Sequence, residues 1–419
     1  MKTLYVILVI LILAFSASAQ SLDPQALPRA GVHDLDLKSG ALNFNPAAYG
    51  PDRGYNVSLE IPSFGLGLTN NTFGVGYWND HFGGDHDWTS AQTKDILDQI
   101  PSKGLRGDVA LSVPVLGLSV GRFGGQIAVE SDGEINLPKD LAVLALTGNQ
   151  LNRHYSISDL GGTGIVVADV GLGFGYKFDQ DYLPEIDAGI GFHYYQGLAL
   201  AKAQRVEGGF TFNDTTINGT AYLQSVTSTS GNGVGFDLGG LAKINDQWEV
   251  GLAFRQLGAR LTWDVKESHI ISGYSDSSGI EMDRIGNGSY FDSTFHKTDT
   301  TFKSNVGTIE TTLPVIMQAN GKYRIRPDLS LTGEFAVRTS SSVQGDAGVE
   351  LGVAADYRPL SWLPLQAGVS VGGLWGAQFG LGTGLRFGGY QMDIGGTWNG
   401  GFLNAARGVS FGLSQRVLF

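Results

Sequence analysis

Apolar and polar residues alternate along most of the chain, which predicts β-strands that have one apolar face. A clear example follows Gln247. Its apolar face carries Trp248, Val250, Leu252 and Phe254, and its other face carries Glu249, Gly251, Ala253 and Arg255. Such segments run for about ten residues, as membrane-spanning strands do, whereas strands of soluble proteins usually have about five or six. Between Tyr55 and Phe419 we count about fourteen of them, and an even number is usual for a bacterial barrel.

Residues 359–385 test this interpretation, because they carry no charge and resemble a transmembrane helix in hydropathy. They contain two prolines and seven glycines, and each interior glycine destabilises a helix by about 1 kcal/mol relative to alanine. Apolar residues recur at every second position, from Leu365 to Val371 and again from Phe379 to Leu385. The pattern therefore predicts two strands joined by a turn.

Two segments have helical spacing instead: residues 89–100, and residues 137–146, where Pro138 suits the first turn of a helix. We expect these helices at the ends of the barrel or in its lumen. Residues 266–310 are polar and are predicted to form a long external loop, because the outer loops of such barrels are typically the longer ones.

Residues 4–15 form an unbroken apolar run that follows Lys2 and precedes the sequence Ala17-Ser18-Ala19. This order is typical of a secretory signal peptide, which we expect to be removed after Ala19. An uncleaved membrane anchor is the alternative, but the run is too short to cross a hydrocarbon layer of roughly 30 Å as a helix. Residues 1–19 are therefore predicted to be a signal peptide that takes no part in the fold.

Glycine accounts for 62 of the 419 residues, about twice its average share. On the polar faces of the predicted strands, glycine, serine and alanine outnumber the charged residues, so we expect spare room in the lumen. A plug formed by the chain, the curvature of the barrel and a bound ligand each explain small inward residues. The chain has no cysteine, which excludes disulfides, and its formal net charge of −12 disfavours nucleic acid as a partner.

The last predicted strand ends the chain on an aromatic residue. One face of this strand carries Val409, Phe411, Leu413, Gln415, Val417 and Phe419. The pattern resembles a signal read by the outer-membrane assembly machinery through β-augmentation, in which a strand of alternating apolar residues ends on an aromatic. We predict that Phe411, Val417 and Phe419 act as this signal, with Gln415 interrupting its apolar face.

Several segments carry a family resemblance. They are residues 41–63, which include the turn Asn45-Pro46-Ala47, residues 231–256 and residues 311–337. These segments resemble FadL-like outer-membrane proteins, the superfamily of the long-chain fatty-acid transporter. Residues 121–162 look closer still to an uncharacterised domain family of similar barrels.

The resemblance implies an all-β fold, a transmembrane antiparallel β-barrel of about fourteen strands with an N-terminal plug, to which the spacing adds the two short helices. It implies a plug or hatch segment over residues 20–53, built around Asn45, Pro46 and Ala47, and a barrel over residues 54–419. A simple turn also explains an Asn-Pro pair. In transport members of the superfamily the barrel takes up hydrophobic molecules passively, and other members are outer-membrane partners of protein secretion.

Catalytic and metal-binding motifs find little support. The seven histidines show no metal-binding spacing such as HExxH. The triplets Asn79-Asp80-His81 and Asp85-His86-Asp87 offer ligands for a divalent ion, but the two glycines between them favour a solvated turn. Irregular spacing, typical of a solvated loop, separates Asp276, Asp283, Asp292 and Asp299. We therefore predict no enzyme, no cofactor and no metal site.

Two functions remain open. The first is passive uptake of a small hydrophobic molecule, which passes the plug and leaves through a gap in the wall; it predicts an apolar pocket near the hatch. The second is a non-transporting protein that binds a periplasmic or surface protein of a secretion or attachment system. It predicts a filled lumen and an exposed apolar patch outside the lipid-facing belt. Outer-membrane lipid surrounds the protein in both.

Charged and polar residues on the inner faces of otherwise apolar strands are candidates for lining the lumen. They are Asp187, His193, Glu249, Arg255, Glu334, Arg338, Arg386 and Asp393. In a transporter they would line the path of the solute. The alternative is that they pair with one another or with the plug and only satisfy a wet lumen.

Overall fold

The fold is known from a computed structural model that describes residues 22–36, 38, 40–51, 55–84, 88–178, 183–275, 278–284, 294–302, 307–340, 347–373 and 376–419. The predicted signal peptide, the triplet Asp85-His86-Asp87, Asp276 and Asp292 lie outside these residues. Within them, no helix combines the length and the apolar character needed to cross a membrane.

Most of the described chain is β-strand. In chain order the strands are β1 (Val57–Asn70), β2 (Leu105–Val120), β3 (Phe123–Leu137), β4 (His154–Ser156), β5 (Gly161–Phe178), β6 (Glu185–Phe212), β7 (Thr216–Ser228), β8 (Gly231–Lys243), β9 (Trp248–Val265), β10 (Glu267–Ser275), β11 (Ile280–Glu281), β12 (Phe295–Phe302), β13 (Gly307–Thr312), β14 (Ile316–Arg326), β15 (Leu329–Arg338), β16 (Gly348–Leu360), β17 (Leu363–Gly372), β18 (Gln378–Phe387), β19 (Tyr390–Asn399) and β20 (Gly408–Leu418). Of these, 14 form the wall of a closed antiparallel barrel: β1 to β3, β5, β6, β8, β9 and β14 to β20.

The first and last strands close the barrel, because β1 pairs with β2 on one side and with β20 on the other. Leu59 lies opposite Val417, and the register shifts once, between Ile61 and Phe64. Pro62 suits this irregularity because it has no backbone N–H to donate. Closure leaves the wall without a free edge, and it confirms the predicted all-β barrel of about fourteen strands.

Strand β9 shows why these sequences form barrel strands. Leu252 and Trp248 expose 61% and 46% of their surface on the outer face, whereas Glu249 and Ala253 expose 2% and 1% on the inner face. The same alternation in the other wall strands surrounds the barrel with apolar side chains, which suit lipid better than water. The uncharged residues 359–385 likewise contribute β17 and β18 to the wall.

The residues between 266 and 310 that the structure describes add no strand to the barrel wall, but they contain strands that their polar composition did not reveal. β10 pairs with β7 and β12, and β13 pairs with the last residues of β9. β6 is 28 residues long and continues past the wall, where it pairs with β7 and β4. Threonine and isoleucine are frequent in this region, and their preference for strands outweighs a loop-like composition.

Three helices lie at one end of the barrel, called the long-loop end: α1 (Val75–Phe82), α2 (Ser90–Gln99) and α3 (Lys139–Thr147). Helices α2 and α3 confirm the two predicted helices, and Thr89 and Gln92 form a capping box where α2 begins. Helix α1 was not predicted, because it has only 8 residues between glycines. Ile96 and Ala142 belong to an apolar cluster that joins α2 and α3.

Residues 22–36, 38 and 40–51 run inside the barrel and are called the inner segment. It contains three short 3-10 helices, Leu27–Arg29, Ala41–Asn43 and Pro46–Tyr49. Leu35, Ala41 and Tyr49 are almost completely buried. The first 3-10 helix contacts β16 to β20 and the third contacts β5, β6 and β8, so the inner segment spans the lumen between opposite walls.

Candidate functional site

Asn45 fastens the inner segment to the wall. Its side-chain oxygen accepts a hydrogen bond from the backbone N–H of Ala47 at 3.0 Å and so caps the third 3-10 helix. Its amide nitrogen donates to the carbonyl oxygens of Gly240 and Leu252, each at 3.1 Å. Because Asn45 is fully buried, these three hydrogen bonds bind the turn to β8 and β9 without competition from water.

Inward glycines of the wall make room for the inner segment. A Cβ atom at Gly189 would lie 2.2 Å from the carbonyl carbon of Pro46, and one at Gly239 would lie 2.0 Å from Asn45 Oδ1. Leu42 and Tyr49 pack in the same way on Gly124, Gly171, Gly173 and Gly191, and the first 3-10 helix packs on Gly368, Gly380 and Gly382. Close packing of the inner segment therefore accounts for many of the small inward residues.

Buried ion pairs provide a second set of attachments. Lys322 on β14, whose side chain is 3% exposed, binds both Asp34 and Asp36 of the inner segment. Arg29 binds Asp356 on β16, with 2.8 Å between its Nη2 and the carboxylate Oδ1. Burial alone raises the pKa of the Asp34 carboxyl, but Lys322 and Arg29 outweigh burial and hold this pKa well below its usual range.

His33 adds an attachment that depends on pH. Its backbone N–H donates to Glu334 Oε2 at 2.9 Å, and its ring Nδ1 lies 3.1 Å from the same oxygen. Gln318 contacts the same ring nitrogen, and Asp23 lies 3.9 Å from the other. Burial and the charge of Arg255 lower the pKa of the His33 imidazole, but the carboxylates of Glu334 and Asp23 outweigh them and raise it above its ordinary value.

We expect the inner segment to be held more weakly at alkaline pH. Because the pKa of His33 is higher in the folded than in the unfolded protein, protonated His33 stabilises the fold. This stabilisation is complete below the unfolded-state pKa of about 6.5, and it is lost as the pH rises through the folded-state pKa. The measurement is the rate at which a protease cleaves the inner segment of the purified protein, at about pH 6 and about pH 9. The ratio of the two rates should be larger for the wild type than for His33→Gln; equal ratios would contradict the assignment.

Two polar cavities lie in the lumen. The first, about 530 Å³ in volume, is called the short-turn cavity, because Tyr55 and Leu418 at the turn end of the barrel line it together with Arg29 and Asp34. The second, about 80 Å³, is called the central cavity and is lined by Leu42 and Asn43 of the inner segment and by charged wall residues. Neither is the apolar pocket that the transport hypothesis predicts near the hatch.

Above the central cavity, the lumen is filled by apolar side chains. This lumen cluster consists of Ile165, Val167, Tyr195, Leu200, Ala259, Leu261, Trp263 and Leu313, all buried. Trp263 packs on the glycine backbone of β6 and β8, and its indole N–H donates to Thr311 Oγ1 at 3.0 Å. The described part of the lumen is thus occupied by the inner segment, by charged residues around the two cavities and by the apolar lumen cluster.

The eight residues predicted to line the lumen all project inward, and the structure brings them together in four groups. The first group, His193, Arg255 and Arg338, lines the central cavity. The second, Glu249 and Arg386, lines the short-turn cavity, where Arg386 also binds Asp393. In the other two groups a wall residue meets the inner segment: Glu334 binds His33, and Asp187 touches Gly50. Most of these contacts join charged residues to one another or to the inner segment. Lys322, Arg29 and Asp34 were not predicted from the sequence, because their pairing depends on strand register and has no local signal.

The wall is irregular where β8 meets β9. Their register shifts twice, on either side of Phe236, and Gln256 has a φ of 58°, in the left-handed region that non-glycine residues rarely adopt. The backbone N–H of Gln256 donates to the side chain of Asp237 at 2.8 Å instead of to a neighbouring strand. His193 bridges Asp237 and Asp169, with its ring nitrogens 3.1 Å and 2.9 Å from their carboxylate oxygens.

An apolar groove of about 400 Å³ lies on the outer face of β3, β5, β6 and β8, with one edge at Phe236. Its walls are Phe123, Leu172, Phe174, Ile190, Phe192, Phe236 and Leu238, and its floor includes Gly173 and Gly191. On the inner side of these two glycines lies Leu42 of the inner segment. Only glycine backbone therefore separates the lipid-facing groove from the inner segment.

Other sequence features fall elsewhere. Among the residues that the structure describes, no group of three or more histidine and acidic side chains is placed to hold a metal ion. Asp80 and His81 lie on α1, and Asp299 pairs with His269.

Residues 408–412 have the Gly-x-Ser-x-Gly spacing of hydrolases, but Ser410 lies within strand β20 and accepts a hydrogen bond from Asn399 at 2.7 Å. A nucleophile needs a strand-to-helix turn there, which this site lacks.

The last strand presents the predicted assembly residues toward lipid. Phe411 and Phe419 expose 43% and 69% of their surface, and Val417 lies between them on the same face. Phe419 exchanges backbone hydrogen bonds with Val57 at the start of β1, so the end of the chain takes part in closing the barrel. Their role as an assembly signal stays a prediction.

Sequence comparison identifies the family. The model of a family of unknown function, DUF5723, matches residues 46–395, which include nearly all of the barrel. The chain belongs to this family. No curated protein matches it in sequence.

Solved structures show that this DUF5723 protein has the FadL-like fold. A FadL homologue of Pseudomonas aeruginosa has a TM-score of 0.53 at 13% identity, covering 97% of this chain and 100% of that one. The toluene transporter TbuX of Ralstonia pickettii has a TM-score of 0.52 at 11% identity, covering 95% and 99%. The toluene transporter TodX of P. putida has a TM-score of 0.52 at 11% identity, covering 94% and 98%. The DUF5723 chain thus shares its closed β-barrel fold with these three proteins.

Proposed function

We propose that this protein lets small hydrophobic molecules cross the outer membrane passively, through the wall beside β8 and β9. The inner segment is the plug: it closes the lumen, and its displacement opens the route. Two of the compared structures are toluene transporters, which supports a small hydrophobic solute.

The observation that carries the proposal is the position of the outer apolar groove. The groove lies on β3, β5, β6 and β8 and reaches Phe236, on either side of which the pairing of β8 with β9 is irregular. Leu42 and Tyr49 pack on the glycine backbone behind it. When the inner segment moves, an apolar solute that has reached Leu42 has only this thin part of the wall between it and the lipid.

An axial route suits such a solute less well. Beyond the inner segment, an axial route crosses the short-turn cavity, whose lining includes Asp34, Asp36, Glu249, Arg324 and Arg386. Charged groups keep water in a lumen, and an apolar molecule gains little by entering such a place. A lateral route leaves the lumen beside Leu42 and does not cross this second charged cavity.

Replacing Phe236 by serine is expected to slow transfer about tenfold. Phe236 forms one wall of the groove, and removing a phenyl group that covers an apolar solute costs about 1.5–3 kcal/mol of contact, where 1.4 kcal/mol is a factor of ten. The measurement is the rate at which a fluorescent apolar dye passes into vesicles that contain the purified protein.

Phe335→Ser is the matched control for this variant. Phe335 is a lipid-facing phenylalanine of β15, away from the groove, and it is 44% exposed against 51% for Phe236. Transfer by Phe335→Ser should equal that of the wild type. Equal rates for all three proteins would exclude the groove as part of the route.

The alternative, a non-transporting protein that binds a periplasmic or surface partner, is favoured by one observation. The described lumen is filled from the short-turn cavity to the lumen cluster, and buried ion pairs hold the inner segment in place. Purification from membranes followed by mass spectrometry separates the two functions. A co-purified hydrophobic small molecule supports transport, whereas a stoichiometric protein supports the alternative.

A further inference from the structure

Two arginines line the central cavity, and the carboxylates of Glu350, Asp132 and Glu334 act electrostatically on one of them, Arg338. Arg255 is 8% exposed, lines the cavity and has a buried Nε without a hydrogen-bond partner. Arg338 lines the same cavity. Within the described part of the chain, neither guanidinium group forms a hydrogen bond or an ion pair.

The position of these arginines is set by strand pairing. Ile316 on β14 lies opposite Arg255 of β9 and opposite Arg338 of β15, so the two arginines flank one inward residue. They repel each other electrostatically. Two like charges side by side in a mostly buried space disfavour each other, and an anion that lies between them relieves the repulsion. The pair therefore fits a carboxylate, which accepts several N–H donors at once.

The opposite side of the central cavity has the reverse charge. Glu130 and Asp132 of β3 and Asp169 of β5 line it, and Asp132 is 3% exposed. Ser112 donates to Glu130 at 2.8 Å, and His193 contacts Asp169. These carboxylates are acceptors of the kind that an ammonium group needs.

Apolar side chains line the space between the two charged sides. They are Leu42, Val167, Leu313 and Ile316. The cavity measures about 80 Å³, and because a water molecule needs about 10–15 Å³ by this measure, there is room for roughly five to eight non-hydrogen atoms. Glycine and alanine have this size, and both carry a carboxylate and an ammonium group.

We propose that the central cavity binds a small zwitterion of the amino-acid type. Its carboxylate lies between Arg255 and Arg338, its ammonium group faces Asp132 and Glu130, and its aliphatic part contacts Ile316 and the other apolar side chains. This site does not depend on the lateral route, because it lies inside the lumen and its ligand is polar.

Calorimetric titration of the purified full-length protein with L-alanine tests the proposal. We expect L-alanine to bind at least about tenfold more tightly than either acetate or ethylamine, each of which carries only one of its charges. Arg255→Gln and Arg338→Gln should each weaken L-alanine at least about tenfold. Arg386→Gln should leave its binding unchanged, because Arg386 lines the other cavity and binds Asp393.

Asp132→Asn provides an independent test in case an arginine variant does not fold. It should weaken the binding of L-alanine without weakening that of acetate, and the midpoint of thermal unfolding shows which variants are intact. Binding of acetate as tight as that of L-alanine would overturn the proposal. So would no detectable binding of L-alanine, or binding that folded Arg255→Gln and Arg338→Gln proteins retain.

Discussion

Gly239→Val is expected to displace the inner segment and to lower the free energy of unfolding by about 3 kcal/mol. Its Cβ would lie 2.0 Å from Asn45 Oδ1 and 2.9 Å from Pro46 Cδ, so the turn must move. Overpacking of this kind costs about 1–3 kcal/mol, and each hydrogen bond that Asn45 loses adds about 1 kcal/mol. Urea unfolding in lipid vesicles measures the change, and protease cleavage of the inner segment shows the displacement.

Gly240→Val is the matched control, one residue along the same strand. Gly240 faces outward, and a Cβ there would meet only Asp187 O, at 3.9 Å. Because valine favours strands and the outer face is apolar, the free energy of unfolding should change by less than about 0.5 kcal/mol. If the two variants were equally stable and equally resistant to protease, the inner segment would not be packed on β8 as described.

Lys322→Met is expected to lower the free energy of unfolding by about 3–5 kcal/mol. The substitution keeps most of the side-chain volume and removes the charge, which leaves Asp34 and Asp36 without the lysine that both bind. Arg29 remains 3.7 Å from Asp34 and Arg324 remains bound to Asp36, but the buried Asp34 carboxylate loses its nearest cation. Weakening a buried ion pair in this way costs more than the intact pair contributes. Urea unfolding of the protein in lipid vesicles measures this change in the free energy of unfolding.

The control for Lys322→Met is the same substitution at an exposed ion pair. Lys94 binds Asp98 one turn along α2, and its side chain is 76% exposed. Lys94→Met should leave the free energy of unfolding almost unchanged, because an exposed ion pair contributes little to stability. Adding Asp34→Asn and Asp36→Asn to Lys322→Met should recover part of the loss, because Arg29 and Arg324 keep Asp356 and Glu249 as partners. A further loss of similar size would show that the ion pairs of Lys322 do not stabilise this contact.

The barrel could be predicted from the sequence because each wall strand encodes its own inner and outer face. The alternation at Trp248 to Arg255 is visible without any partner strand, and so are the helical spacings that became α2 and α3. Helix α1 and the strands of residues 266–310 were missed because a short helix and a polar sheet outside the membrane produce weak patterns.

The interior of the barrel could be predicted only in part. Inward charges are recognisable along one strand, but their partners are set by the closed topology: Lys322 binds Asp34 across 288 positions of sequence. Glycines such as Gly189 and Gly239 had three possible explanations, and the structure shows the inner segment packed against both. The double register shift at Phe236 has no sequence signal beyond a glycine near Gln256.

The central claim is that the inner segment closes a route for small hydrophobic molecules. A cross-link tests it directly, because the chain has no native cysteine. Val32 of the inner segment lies against β16, where a Cβ at Gly352 would be 2.5 Å from Val32 Cγ2, so Val32→Cys with Gly352→Cys is placed to form a disulfide. Oxidation would fasten the inner segment to the wall, and reduction would release it.

The measurement is transfer of the apolar dye into vesicles that contain the double-cysteine protein, before and after reduction. The account predicts wild-type transfer in the reduced form and, in the oxidised form, transfer no faster than in vesicles without protein. Equal transfer in both forms would show that the route does not depend on the inner segment. If the wild-type protein also transferred the dye no faster than vesicles without protein, the proposed transport itself would be contradicted.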